Sequence, residues 1–169
     1  MADNNAVVHG EIEPGRDGEA QGELVSDDES LYRRAPKTCV VYESGVERIS
    51  SSAFNDRGHK PSVDRACMRR APEESKADAA DGILEILAAE VRAIRDIEIT
   101  NPASQPPAYY AVDVHHRPII ADEATATVAN PAHAQIEARP HAEATSRFKK
   151  IKEALALIAN SRGWLIRPE

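Results

Sequence analysis

Nine carboxylates against one base in the first thirty residues (Asp3, Glu11, Glu13, Asp17, Glu19, Glu23, Asp27, Asp28 and Glu29 against Arg16) divide this chain before any motif is sought. The segment also holds four of the eight glycines and no aromatic ring. It buries too little apolar surface to offset its chain entropy, so residues 1–30 are read as a disordered acidic tail. The functional alternative is an acidic arm that docks on a basic partner, or on the basic residues of its own body. The remainder, 31–169, carries 19 acids and 20 bases and is expected to fold as a single domain. The net charge of −7 therefore describes the tail and not the body.

Core material is scarce. Leu, Ile, Val and Phe together make only 33 of 169 residues, against 28 alanines, which restricts the chain to a small core and excludes a large multi-layer enzyme. No apolar run approaches the ~18 residues of a membrane span, and no basic-then-apolar leader opens the chain. A cytoplasmic location without a membrane partner is the expectation. Cys39 and Cys67 are expected to be unpaired and free of metal.

Along the body, Thr38–Glu43 and Val46–Ile49 are β-branched runs joined by Ser44-Gly45, the signature of a hairpin. Residues 50–72 show neither period, apart from a short helix expected at 63–70; so long a connection in a compact domain is functional or disordered. Phe54, a lone ring among serines and charges, is expected to anchor it. Over 81–95, Ile83, Leu84, Leu87, Val91 and Ile94 recur at helical spacing behind Asp81 as N-cap, although Gly82–Ile86 also suits a strand. Strands are expected at 97–100, 109–114, 119–120 with 125–128, and 134–139. A second helix over 145–160 places Phe148, Ile151, Leu155 and Ile158 on one face and stops at Gly163, after which Trp164 and Leu165 fold back. This order predicts an α+β fold, a small antiparallel or mixed sheet covered by two helices.

The common chemical signatures are missing. No phosphate loop, dinucleotide-binding glycine pattern, C-x-x-C, H-E-x-x-H or G-x-S-x-G occurs, and nothing implies a cofactor. Weaker constellations remain. Asp113 and His115 share one face of a strand and with His133 offer nitrogen/oxygen ligation, as does His59 with Asp64, but without ligand spacing no metal is expected. Acid–base chemistry would draw on His59 or His133 with Asp64, on Ser51 as nucleophile or donor, and on Arg33 or Arg34 to hold an anionic substrate. The competing reading makes these turn, cap and edge residues. Arg147, Lys149, Lys150 and Lys152 crowd the start of the last helix, where cations oppose the macrodipole. They are the candidate binding residues for nucleic-acid phosphates or an acidic partner, against a plain solvated face.

The blocks Leu31-Tyr-Arg-Arg34, Ser51-Ser-Ala-Phe54, Ser62-Val-Asp64 and Asn130-Pro-Ala-His-Ala134, in this order, resemble those of a family of small uncharacterised bacterial proteins. The resemblance spans about 31–139 and brings no activity with it. It implies that loop 50–66 belongs beside the Asn130 turn, and that the protein serves in a multi-gene, defence-type operon. The leading reading is a small cytosolic adaptor or accessory protein that binds a protein partner through its irregular loops. One alternative is a small hydrolase or transferase built on loop 50–66 and the Asn130–His133 turn; another is a nucleic-acid-associated module using the basic C-terminal helix. An enzyme requires Arg33, His59, Asp64 and His133 in one cleft, whereas an adaptor leaves them apart and exposes an apolar patch.

Overall fold

Ten strands and two α-helices run through the residues described by this computed structural model, 22–99, 104–142 and 145–169. The strands are β1 (Ser30–Ala35), β2 (Val40–Glu43), β3 (Val46–Ile49), β4 (Ser62–Arg65), β5 (Gly82–Leu87), β6 (Glu98–Ile99), β7 (Ala108–Tyr109), β8 (Ala111–His116), β9 (His133–Arg139) and β10 (Trp164–Ile166). The helices are α1 (Ala88–Arg92) and α2 (Thr145–Arg162). Six strands form one antiparallel sheet in the order β10-β5-β1-β4-β9-β8, while β2–β3 and β6–β7 are separate two-stranded sheets. The fold is thus α+β.

One face of the large sheet makes the core. Leu31, Val63, Leu84, Ile86, Val114 and Ile136 are buried in a single cluster with Phe148, Ile151 and Leu155 of α2 and Val91 of α1. Helix α2 ends as its sequence dictates: Gly163 takes a positive φ of 79° and its N–H reaches the Ala159 carbonyl at 2.8 Å. The chain then folds back as β10 against β5. At Gly82 that return is so close that a Cβ would lie 2.6 Å from Pro168 and 2.7 Å from Trp164, so only glycine fits. The β2–β3 hairpin closes at Ser44 and Gly45, both at positive φ, the geometry favoured by a two-residue hairpin turn.

Four expectations need correction. The helix expected over 81–95 begins as strand β5, and only Ala88–Arg92 is helical. A strand buried on both faces shows a near-continuous apolar run, which mimics a helical stripe over six residues. The short helix expected over 63–70 is instead β4 followed by a single 3-10 turn at Ala66–Met68. Residues 119–130 form no strands, only isolated bridges pairing Ile119 with Asn130 and Asp122 with Thr127.

The fourth correction moves the boundary of the acidic tail. Residues 1–21 lie outside the described residues, but 22–30 belong to the body. Val25 is buried, and the Glu23 carbonyl and Val25 N–H pair with His116 and Val114, extending the sheet along the free edge of β8. Glu29 and Arg65 form a two-pronged ion pair at 2.8 Å on each arm. The Arg65 hydrogen bond holds the Glu29 carboxyl below its ordinary 4.5, against the opposing effect of burial. Arg92 of α1 binds Asp113 as well as the Asp27 carboxylate and the Val25 carbonyl. These acids are consumed by specific bases of the body, which is why the segment orders.

Candidate functional site

Strand alternation sorts β1 into two faces: Leu31, Arg33 and Ala35 turn into the helical layer, Tyr32 and Arg34 onto the opposite, open face. On the open face the strand register aligns Glu85, Tyr32, Asp64 and His133 in one row across β5, β1, β4 and β9. Tyr32, Asp64 and His133 of that row, with Arg34 and Ser62, floor a cavity of about 320 Å³. Ser75 walls it from the β4–β5 connection, and Ile119, Val128 and Asn130 wall it from the β8–β9 connection.

The Asp64 carboxylate is fully engaged. Its Oδ2 accepts from Arg69 Nη2 at 2.7 Å and Nε at 3.2 Å, and its Oδ1 accepts from Asn130 Nδ2 at 2.8 Å. Arg69 Nη2 also donates to Asn130 Oδ1 at 2.8 Å, closing a three-residue lock in which a buried charge is both paired and hydrogen-bonded. Asn130 Oδ1 accepts the Ala132 N–H as well, turning the chain into β9. His133 Nδ1 lies 2.5 Å from the Arg117 carbonyl oxygen. A carbonyl only accepts, so Nδ1 carries a proton, and this bond selects the tautomer in which Nε2 is the acceptor nitrogen.

Arg33 also borders this cavity, but its guanidinium is engaged elsewhere, and the remaining candidates lie outside it. Arg33 points into the helical layer and clamps the 53–62 loop, donating to the Ala53 and Ser62 carbonyls at 2.7 and 2.6 Å and to both oxygens of Asp56. Phe54 is fully buried there, with the Arg33 guanidinium 6.0 Å above its ring. Ser51 begins a 3-10 turn capped by Ser50 and lines a different groove, beside Val41 and Leu157. His59, at a positive φ of 56°, packs its ring 4.9 Å from that of Phe148 on α2. Of the four residues an enzyme would need together, Arg33, Asp64 and His133 border one cavity and His59 does not, and the Arg33 guanidinium is committed to the 53–62 loop rather than to that cavity. Loop 50–66 and the Asn130 turn do meet, but at Asp64 on a strand and not at His59.

Asp113 and His115, two of the three metal candidates, are engaged as well. Asp113 Oδ1 accepts from Arg92 Nε at 2.7 Å and from the Val114 N–H at 2.8 Å. His115 Nδ1 donates to the Gly22 carbonyl at 3.2 Å, and its Nε2 accepts from Arg139 at 3.1 Å, so neither nitrogen has a lone pair to offer. Among the described residues no three His, Cys, Asp or Glu side chains gather as a metal site would need. Cys39 is buried and Cys67 exposed, both as free thiols.

On α2, Lys149 and Lys150 are exposed, Lys149 lying 3.8 Å from Glu153. The Lys152 ammonium sits 5.6 Å from the centre of the Phe148 ring and binds the Asn55 side chain. Arg57 and His59 line a shallow pocket with Lys152. The side chain of Arg147 lies outside the described residues. No described helix is long and apolar enough to cross a membrane.

Tyr32, Arg69 and Ser75 are the site residues that pattern-reading missed as functional groups, while Asn130 entered only through its turn. Tyr32 was within reach, since the alternation from Leu31 to Ala35 already puts it opposite Leu31. Arg69 carries no local signal, because only the folding of the β4–β5 connection brings it to Asp64. Comparison with known proteins adds nothing to this geometry: no family model matches the chain, and neither does any curated protein or solved structure.

Proposed function

We propose that this chain is a small accessory protein that works by binding a protein partner, and that the partner docks on the β2–β3 hairpin and the adjoining face of α2. The observation that carries the reading is the state of the hairpin. Among the described residues it is a two-stranded sheet with no further strand paired to either edge, and Asn160 engages its backbone at Ile49, by accepting that N–H and donating to that carbonyl. By register Val41 and Val46 share the face that carries Arg48, and Val41, Arg48 and the exposed Leu157 wall one groove of about 330 Å³. Unpaired strand edges beside exposed aliphatic side chains suit an extended protein segment, whose backbone pairs while its apolar side chain fills the groove. The engagement of Arg33, Asp64 and His115 in structural bonds supports binding over catalysis.

The test is photo-crosslinking in the cells that make the protein, with p-benzoylphenylalanine replacing Tyr42 in one strain and Val128 in another. The proposal expects a discrete adduct from position 42 that disappears when Leu157→Asp is added. An adduct from position 128 alone, or one at 42 indifferent to Leu157→Asp, contradicts it.

A second reading, nucleic-acid binding, is favoured by one observation: the 55–60 loop sets Arg57 and His59 beside Lys152, adding bases to those of α2. Binding to a short RNA or DNA that weakens steeply between 50 and 200 mM salt, as about one released counterion per phosphate contact requires, would support it.

A further inference from the structure

The open-face cavity lies across the sheet from the hairpin, and nothing in the proposed docking surface uses it. Its floor is built on paired strands, with Tyr32, Asp64 and His133 at facing positions of β1, β4 and β9. Four of its polar groups have no hydrogen-bond partner among the described residues. Ser75 Oγ is buried and unsatisfied, which is costly unless something fills its bonding capacity. The Tyr32 hydroxyl and the Ser62 hydroxyl are likewise uncommitted, and His133 Nε2 is the acceptor nitrogen of its ring. Arg34, half exposed, meets Asp81 only at 3.8 Å through Nε, while the Asp81 carboxylate is held by the N–H groups of Ala77 and Asp78.

From these observations we propose that the cavity binds a small organic carboxylate that also carries a hydroxyl or amino donor, an aliphatic hydroxy acid or amino acid in size. The carboxylate meets the Arg34 guanidinium and the hydroxyls of Tyr32 and Ser75, and the ligand's donor meets His133 Nε2. Burial, then the Glu85 and Glu73 carboxylates, push the Tyr32 phenol above its ordinary 10.0, so it remains a hydroxyl donor at neutral pH. The same two acids, with Asp81, limit how much negative charge the site can take. One guanidinium without a close partner, set among carboxylates, fits a single negative charge and disfavours a phosphate dianion. The aliphatic walls, Ile119 and the 83% exposed Val128, suit a short carbon skeleton and would lose water on its binding. The volume of about 320 Å³ admits a molecule of that class.

The test is a 15N-resolved NMR titration of the full chain with L-lactate, with L-serine and with inorganic phosphate. The proposal expects saturable shifts for lactate or serine, centred on Tyr32, Arg34, Ser62, Ser75 and His133, and none of that pattern for phosphate. Arg34→Gln is expected to weaken the binding at least tenfold. Ser75→Ala is expected to weaken it several-fold while leaving the unfolding midpoint unchanged or raised, because it removes an orphaned hydroxyl; that variant remains informative should Arg34→Gln fail to fold. Absence of saturable shifts with both carboxylates, tighter binding of phosphate, or full affinity in both variants overturns the proposal. The result is independent of the hairpin, whose amides are expected to stay unmoved.

Discussion

Replacing Arg33 by methionine is the perturbation that best separates a structural guanidinium from a catalytic one. Arg33→Met keeps the length and apolar bulk of the stem over Phe54 and deletes the fork. In the folded protein this leaves the Ala53 and Ser62 carbonyls without their Arg33 donors and strips Asp56 of its countercharge. Removing one partner of a buried pair costs about 3–5 kcal/mol. Asp56 is one-quarter exposed and keeps the Ser62 N–H, so the lower part of that range applies, about 3–4 kcal/mol. Urea unfolding followed by circular dichroism reads this as a lower midpoint with an unchanged slope. Arg33→Lys should recover only part of it, because an ammonium cannot fork to Asp56 and two carbonyls at once. In a double-mutant cycle with Asp56→Asn the two sites should couple by roughly 1–3 kcal/mol. An Arg33→Met protein within about 1 kcal/mol of the parent, or a cycle with no coupling, would refute the clamp and return Arg33 to the pool of residues free for chemistry.

Three further outcomes are expected. Phe54→Ala removes a fully buried ring and should cost about 3–5 kcal/mol in the same assay; an unchanged midpoint would mean that the 51–54 turn is not anchored. Glu29 has a folded pKa depressed by Arg65, so its contribution is fully present above the ordinary 4.5 and fades as pH falls through the lower folded value. The stability difference between wild type and Glu29→Gln, measured from pH 7 downward, should therefore be constant above about 4.5 and shrink below it, and a difference independent of pH contradicts the pairing. Finally, a thiol reagent should titrate Cys67 in the native protein and Cys39 only after unfolding; equal native reactivity would contradict the burial of Cys39.

What the sequence disclosed follows the range of the interaction concerned. The β2–β3 hairpin was legible because its signal is local: two β-branched runs and a Ser-Gly pair that tolerates positive φ. Helix α2 was legible because Phe148, Ile151 and Leu155 repeat over several turns, long enough for a helical period to be distinctive. Strand β5 misled because a strand covered on both sides loses its alternation, and six apolar-rich residues fit either period. The ordering of residues 22–30 was hidden in pairings with Arg65 and Arg92, far along the chain.

The candidate site divides along the same line. Asp113 and His115 were correctly placed on one face, since alternation is local, yet their partners Arg92, Gly22 and Arg139 come from other elements. Asp64 sits on a four-residue strand too short to show a period, and its alignment with Tyr32 and His133 is fixed by non-local register. Arg33 and Asp64 both had the residue types of a catalytic pair. Strand alternation sends them to opposite faces of the sheet.

Backbone hydrogen exchange of the protein alone, and bound to the partner captured from position 42, tests the central claim most directly. The binding account expects added protection confined to residues 40–49 and to the stretch of α2 around Leu157, with Tyr32, Asp64 and His133 unchanged. Protection centred on those three residues, with the hairpin exchanging as freely as before, would contradict it.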